Sequence, residues 1–475
     1  MKTTFFFYDL ETSGLNAGSA RIMQFAGQRT DQDLRPIGEP INTLIKLTND
    51  ILPDPRAILI TGITPQQTLK AGISEAEFLK IFHKQISLPG TIFVGYNTIR
   101  FDDEFMRFLN YRNFYDPYQW QWQDSRSRWD LLDVVRMTRA LRPDGIVWSY
   151  DEQGKAGNRL EQLTSANNIP HSNAHDALAD VNATIGVARL IHDKQPKLFN
   201  YLLELRQKKK IAELVLSNQP FVYTSGKYSA DYQKTTVVKL LTPHPHREAA
   251  LVYDLRYDPT PYSKMSVKQL VAAWRYDPDK SKARLPVKTL QYNRCPAVAP
   301  LSVLDPASRE RISIDAQQIT ENAEHLAAIS DWPKRIIEAL KVMDDIQERK
   351  YANRTHDVDE SLYDGFFKPG DQKLMVKVQA ASAQELASIK PVFEDSRLNE
   401  LLPLYKARNF PSTLSEIERE AWDRYRLAKL TDGEADSRLA KFETEISILI
   451  KSPSLSKKDQ EIVNRLKLYE SSVIS

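Results

Sequence analysis

Asp9 and Glu11 stand two residues apart in Phe5-Phe6-Phe7-Tyr8-Asp9-Leu10-Glu11-Thr12-Ser13-Gly14. The aromatic run reads as a strand, and alternate strand side chains share a face, so both carboxylates point the same way. Like charges that close repel unless a cation lies between them, which makes the pair a floor for hard divalent metals. Alone, the same residues also describe a solvated strand end entering a Thr-Ser-Gly turn. Two further stretches carry related chemistry. Gly95-Tyr96-Asn97-Thr98-Ile99-Arg100-Phe101-Asp102-Asp103-Glu104 follows an apolar run and places acids at the start of a helix. His175-Asp176-Ala177-Leu178-Ala179-Asp180 offers one histidine and two acids. His175 and Asp180 would stand about 140° apart around a helix axis, so the histidine belongs to the loop or first turn while Asp180 faces inward. Asp176, in that first turn, is favoured by the helix dipole without any catalytic role.

Elements able to hold these residues alternate along residues 1–195, as in an α/β layer. Strands are expected over Thr4 to Leu10, Ile22 to Arg29, Ile41 to Leu47 and Thr91 to Val94; helices are expected at Pro65, over Ser74 to Ile86, over Trp129 to Leu141 and from about Asn173. From 196 to 350 the texture is mostly β, with runs at Phe221 to Thr224, Thr235 to Leu241 and Ala249 to Leu255, preceded by a helix over Tyr201 to Leu214. Residues 351–475 are helical in pattern, including Ala383 to Lys390, Leu414 to Leu430 and Leu439 to Lys451.

The 65 basic and 62 acidic residues leave a net charge of +3, so any nucleic-acid contact must come from local patches and bound metal. The single Cys295 excludes an intramolecular disulfide framework and a cysteine-rich zinc site, and reads as a small buried hydrophobe of a reducing cytoplasm. No apolar run approaches the roughly 18 residues of a membrane span. The expectation is a cytoplasmic monomer.

The opening D-x-E, the N-x-x-x-F-D at Asn97 to Asp102 and the histidine five residues before Asp180 resemble the DEDDh branch of the DEDD 3'-5' exonuclease superfamily. Tyr111 to Tyr118, Ser127 to Asp133, His171 to Ala177 and Tyr405 to Pro411 are similar, more narrowly, to the bacterial exonuclease I family, so the resemblance spans the chain. It implies an α/β, ribonuclease H-like exonuclease domain, a small β-barrel domain of the Src-homology type and a helical C-terminal domain, forming a C-shaped clamp on single-stranded DNA. The implied activity is processive 3'-to-5' hydrolysis to 5'-mononucleotides, in DNA repair and recombination. Family spacing selects Asp180 over Asp176. Asp9, Glu11 and Asp180 would then ligate two divalent ions, with Asp102 completing the cage and a neutral His175 as general base. Carboxylate and water ligands suit Mg²⁺, with Mn²⁺ able to substitute.

The resemblance places a phosphate-binding side chain at Arg159 and lets Glu11 touch substrate. Tyr115, Tyr118, Trp120, Trp122 and Trp129, interleaved with Arg107, Arg112 and Arg128, mix aromatic and basic residues as a single-strand groove does. Some of these rings must be plain core. Tyr118, Trp122, Arg107 and Arg136 are the expected strand contacts. The resemblance also implies binding of the acidic C-terminal tail of single-stranded-DNA-binding protein, near Arg142 and Tyr201, although Ala297 to Asp305 lacks the basic residue such a pocket would draw on. The active-site residues alone leave an exoribonuclease or proofreading exonuclease open, and a non-catalytic clamp is the rival from another class.

Overall fold

A computed structural model describes residues 3–152, 154–171, 176–275, 284–352, 357–453 and 455–474. It divides into two compact units: Met1–Ser127 with His171–Asn182 and His356–Ser475, and Arg128–Pro170 with Ala183–Thr355.

In the first unit, strands β1 (Thr4–Thr12), β2 (Ile22–Thr30), β3 (Ile41–Leu44) and β4 (Thr91–Gly95) lie in the order β3-β2-β1-β4. β1 pairs antiparallel with β2 and parallel with β4, which makes it an inner strand. Its aromatic run is buried on both faces, as the sequence leads one to expect. Phe6 and Tyr8 share a face and stack on Phe25 at centroid distances of 6.3 and 6.0 Å, while Phe93 meets both rings edge-on. Gly27, paired with Tyr8, makes room for this arrangement, since a Cβ there would come within 2.4 Å of the Phe6 ring. The same core takes in Leu398, Leu401, Leu404 and Tyr405 of helix Ser396–Asn409, near the other end of the sequence. Helices Arg438–Ile450 and Lys457–Ile474 pack Phe442, Ile446, Val463 and Leu466 against Met23 and Ile58.

Three helices concern the site: α1 (Asp102–Arg112), α2 (Leu131–Leu141) and α3 (Ala177–Lys194). Two of them start later than the sequence spacing suggests. Trp129, expected in helix, lies in the short strand β5 (Ser127–Asp130), because Asp130 accepts the Leu132 N–H at 2.9 Å and so caps α2. Asp176 likewise accepts from Leu178 and Ala179 N–H, both at 3.1 Å, which sets the start of α3.

The second unit holds an antiparallel sheet of β6 (Phe221–Thr224), β7 (Thr235–Pro243), β8 (Ala249–Asp254), β9 (Val287–Gln291) and β10 (Ala297–Pro300), in the order β10-β6-β7-β8-β9. β9 and β10 escaped the sequence reading, being short and flanked by prolines. The expected Tyr201 to Leu214 helix is two helices, Pro196–Glu204 and Lys208–Leu216. Cys295 is not a buried hydrophobe: it sits half-exposed at φ 45° in the turn before β10 and donates its Sγ–H to the Arg128 carbonyl at 3.1 Å.

Candidate active site

Alternation along β1 turns Asp9 and Glu11 to one side, and α3 adds Asp180 from its first turn. One carboxylate oxygen from each of Asp9, Glu11 and Asp180 lies within 4.8 Å of the other two. Asp102, the first residue of α1, stands close enough that its charge is felt by Asp9. Burial raises the Asp9 carboxyl well above its ordinary value, with the charges of Asp102 and Asp180 adding to the effect. Glu11 is pushed up to about 9, first by burial and then by Asp9, Asp180 and Asp176. Four acids crowded this way cannot all be charged without a counter-cation. The donor set is all carboxylate oxygen, which fits a hard divalent ion.

The neighbouring acids have other duties. Asp103 accepts the Tyr8 hydroxyl at 2.5 Å, and Glu104 accepts from Arg107 at 2.5 Å and from the Tyr363 hydroxyl. Asp176 is spent on the α3 cap. His175 lies outside the described residues. His171, to which the sequence spacing assigns no role, places Nε2 2.5 Å from Asp180 Oδ1. The buried ring holds Asp180 at Oδ1.

Of the aromatic and basic residues singled out from sequence, Trp120 and Trp129 are core and Tyr115 stacks on His83 at 4.3 Å. Arg112 is buried against Glu75. Trp122, in contrast, is 63% exposed in a turn. Tyr118 lies over the Arg107 guanidinium at 5.7 Å and contacts Phe366 at 6.2 Å. Phe366, 87% exposed, and Tyr363 extend this aromatic surface from a segment the sequence reading passed over. The aromatic-rich run Tyr363-Asp364-Gly365-Phe366-Phe367 was the available signal.

In the second unit Arg159 is an exposed residue at the start of helix Leu160–Ala166, and Arg136 pairs with Asp133 at 2.6 Å. Arg142 donates to the Val303 carbonyl at 2.8 Å and meets Asp305 at 3.3 Å. Arg311 donates to the Ala140 carbonyl at 2.8 Å, two residues from Arg142. Tyr201 is half-buried, and burial pushes its hydroxyl up to about 12.

An α/β layer that gathers carboxylates on its inner strand suits a divalent-metal-dependent phosphodiester hydrolase. Family descriptions agree segment by segment: "Exonuclease" matches residues 6–188, "Exonuclease I SH3-like domain" 206–341 and "Exonuclease I C-terminal domain" 356–473. The chain belongs to the exonuclease I family. It is 40% identical to Haemophilus influenzae exodeoxyribonuclease I over 458 residues, covering 95% of this chain and 94% of that one. The solved exonuclease I of Methylocaldum szegediense superposes with a TM-score of 0.93 at 42% identity, covering 100% of both chains. A zinc-bound Escherichia coli exonuclease I–single-stranded DNA complex gives a TM-score of 0.91 at 36% identity, again covering 100% of both chains. A solved SSB/exonuclease I complex with an inhibitor gives a TM-score of 0.89 at 36% identity, covering 100% of both chains.

Proposed function

We propose that this chain is a 3'-to-5' exonuclease that hydrolyses single-stranded DNA to 5'-mononucleotides. The observation that carries the reading is the meeting of Asp9, Glu11 and Asp180 within 4.8 Å in a member of this family. These three hold the metal, with Asp102 completing the cage directly or through water. When bound, two Mg²⁺ ions, replaceable by Mn²⁺, would supply positive charge to offset the charge that develops on the reacting phosphodiester. The neutral imidazole of His175 takes the proton of the attacking water. His171 keeps Asp180 oriented by donating from Nε2, and Glu11 also contacts the terminal nucleotide.

Tyr118, Trp122 and Phe366 stack on bases, Arg107 backs Tyr118, and Arg136 and Arg159 meet phosphates. Residues 1–195, 196–350 and 351–475 serve as the exonuclease, Src-homology-like and helical domains. The acidic tail of single-stranded-DNA-binding protein docks at Arg142 and Tyr201, with Arg311 beside them. The protein works as a cytoplasmic monomer in DNA repair, and no described helix is long and apolar enough to cross a membrane.

Digestion of matched 3'- and 5'-labelled DNA and RNA strands with Mg²⁺ tests the reading. The 3' label should leave first, as a mononucleotide, from single-stranded DNA; preference for RNA or for the 5' end defeats it. Trp122→Ala and Phe366→Ala should each raise KM for single strands about tenfold, since one base–aromatic stack is worth ~1–3 kcal/mol. Because both rings are exposed, melting temperature should hold while KM shifts, and an unchanged KM would remove them from the strand path.

A further inference from the structure

Arg21, Arg408 and Lys429 are buried together with Asp50 and Asp359 in the first unit. Asp359 accepts from Arg21 at 2.6 Å, from Arg408 at 2.8 and 2.7 Å, and from Lys429 at 2.8 Å. Asp50 accepts from Arg408 at 2.7 Å and Lys429 at 2.8 Å. Ion clusters this dry are costly to desolvate, and fixing a geometry is their best-attested use. Here the geometry leads to the acidic cluster. β1 and β2 pair in step as far as Glu11 opposite Gln24; the register then shifts, so that Thr12 faces Ile22. Such bulges re-aim side chains beside active sites. Immediately past the bulge, Ser13 N–H donates to the Arg21 carbonyl at 2.8 Å and Arg21 N–H donates to Ser13 Oγ at 2.8 Å. Arg21 therefore closes the bulge with its backbone while its guanidinium is held by Asp359.

We propose that Asp359, from the C-terminal part of the chain, is a positioning residue for Glu11: through Arg21 and Ser13 it locks the bulge that aims this carboxylate into the metal floor. The inference rests on the reading that Asp9, Glu11 and Asp180 hold the metal. It makes metal affinity a property of the full chain rather than of the exonuclease segment alone.

Calorimetric titration of the full-length protein with Mn²⁺, alongside melting temperature, tests it. Asp359→Asn and Ser13→Ala should each weaken Mn²⁺ binding about tenfold, the lower end for residues that orient metal ligands. The double variant should be no more than about twofold weaker than the weaker single variant, because both changes act on one path. Ser13→Ala leaves the ion cluster whole and reports even if Asp359→Asn does not fold. Wild-type Mn²⁺ affinity in Ser13→Ala, or in a folded Asp359→Asn whose melting temperature alone has dropped, overturns the proposal, as does a double variant showing the product of the two effects. Glu11→Ala separates the two levels: if it binds Mn²⁺ like wild type the metal-floor reading falls, whereas if it alone loses Mn²⁺ only the positioning role falls.

Discussion

Asp180→Ala should lower Mg²⁺-dependent mononucleotide release by about a thousandfold or more, some 4 kcal/mol of transition-state stabilisation, while single-strand affinity stays within about twofold. The asymmetry follows from where the residue sits. Asp180 meets Asp9 and Glu11 at the acidic cluster, whereas the exposed rings of Trp122 and Phe366 belong to the aromatic surface. Its loss also removes the carboxylate against which His171 Nε2 is placed. Asp176→Ala provides the contrast four residues away. It removes the acceptor for Leu178 and Ala179 N–H, so it should cost about 1 kcal/mol of stability and leave turnover within a few-fold. Steady-state rates and strand binding in chelator, measured for both variants, check the pair. Unchanged turnover in Asp180→Ala would reject the ligand assignment.

The two variants also show what the sequence could and could not disclose. β1 was legible because a run of aromatics needs burial on both faces and period-two acids then share a side; that logic is local to nine residues. The choice between Asp180 and Asp176 was not local. Family spacing chose Asp180, and the physical ground lies in where α3 begins: the helix starts at Ala177 because Asp176 caps it, not near Asn173 as apolar spacing suggested. The pairing of His171 with Asp180 had no local signature for a related reason: the two stand nine positions apart, a spacing with no helical or strand meaning. Trp129 slipped from helix to strand because the capping strength of Asp130 outweighs the apolar periodicity that runs through it. Phe366 lies 248 positions from the Tyr118 ring it touches, and Asp359 lies 338 from Arg21. Contacts of that range join segments from the two ends of the chain, which no window of sequence displays.

The acidic cluster and the ion cluster, both held by the first unit, should give the metal-free protein a stability that falls in both directions from mildly acidic pH. Glu11 has its carboxyl raised to about 9 against an ordinary 4.5, so folding favours its protonated form. That contribution is fully present below about pH 4.5 and is lost as pH rises toward 9, at ~1.4 kcal/mol per unit for one group. Asp9, raised by burial and by Asp102 and Asp180, adds to the same alkaline loss. Asp50, Asp359 and Glu75 have the opposite sign: arginine and lysine neighbours hold them below the ordinary carboxylate range despite burial, so their contribution is present above that range and is lost in acid. Between pH 6 and 8 the metal-free chain should therefore lose about 3 kcal/mol from Glu11 alone. Mg²⁺ replaces the displaced protons, so it should leave the melting temperature nearly unmoved at pH 5 and raise it by several degrees at pH 8.5. Glu11→Gln carries the neutral form permanently; without metal it should be more stable than wild type at pH 8.5, with a flatter alkaline limb and little response to Mg²⁺. Melting curves from pH 4 to 9, with chelator and with Mg²⁺, measure all of this at once. A metal-free profile that is flat from pH 5 to 9, or a Glu11→Gln protein that still falls like wild type, would mean that the carboxylates are solvated and that the strand end holds no metal floor.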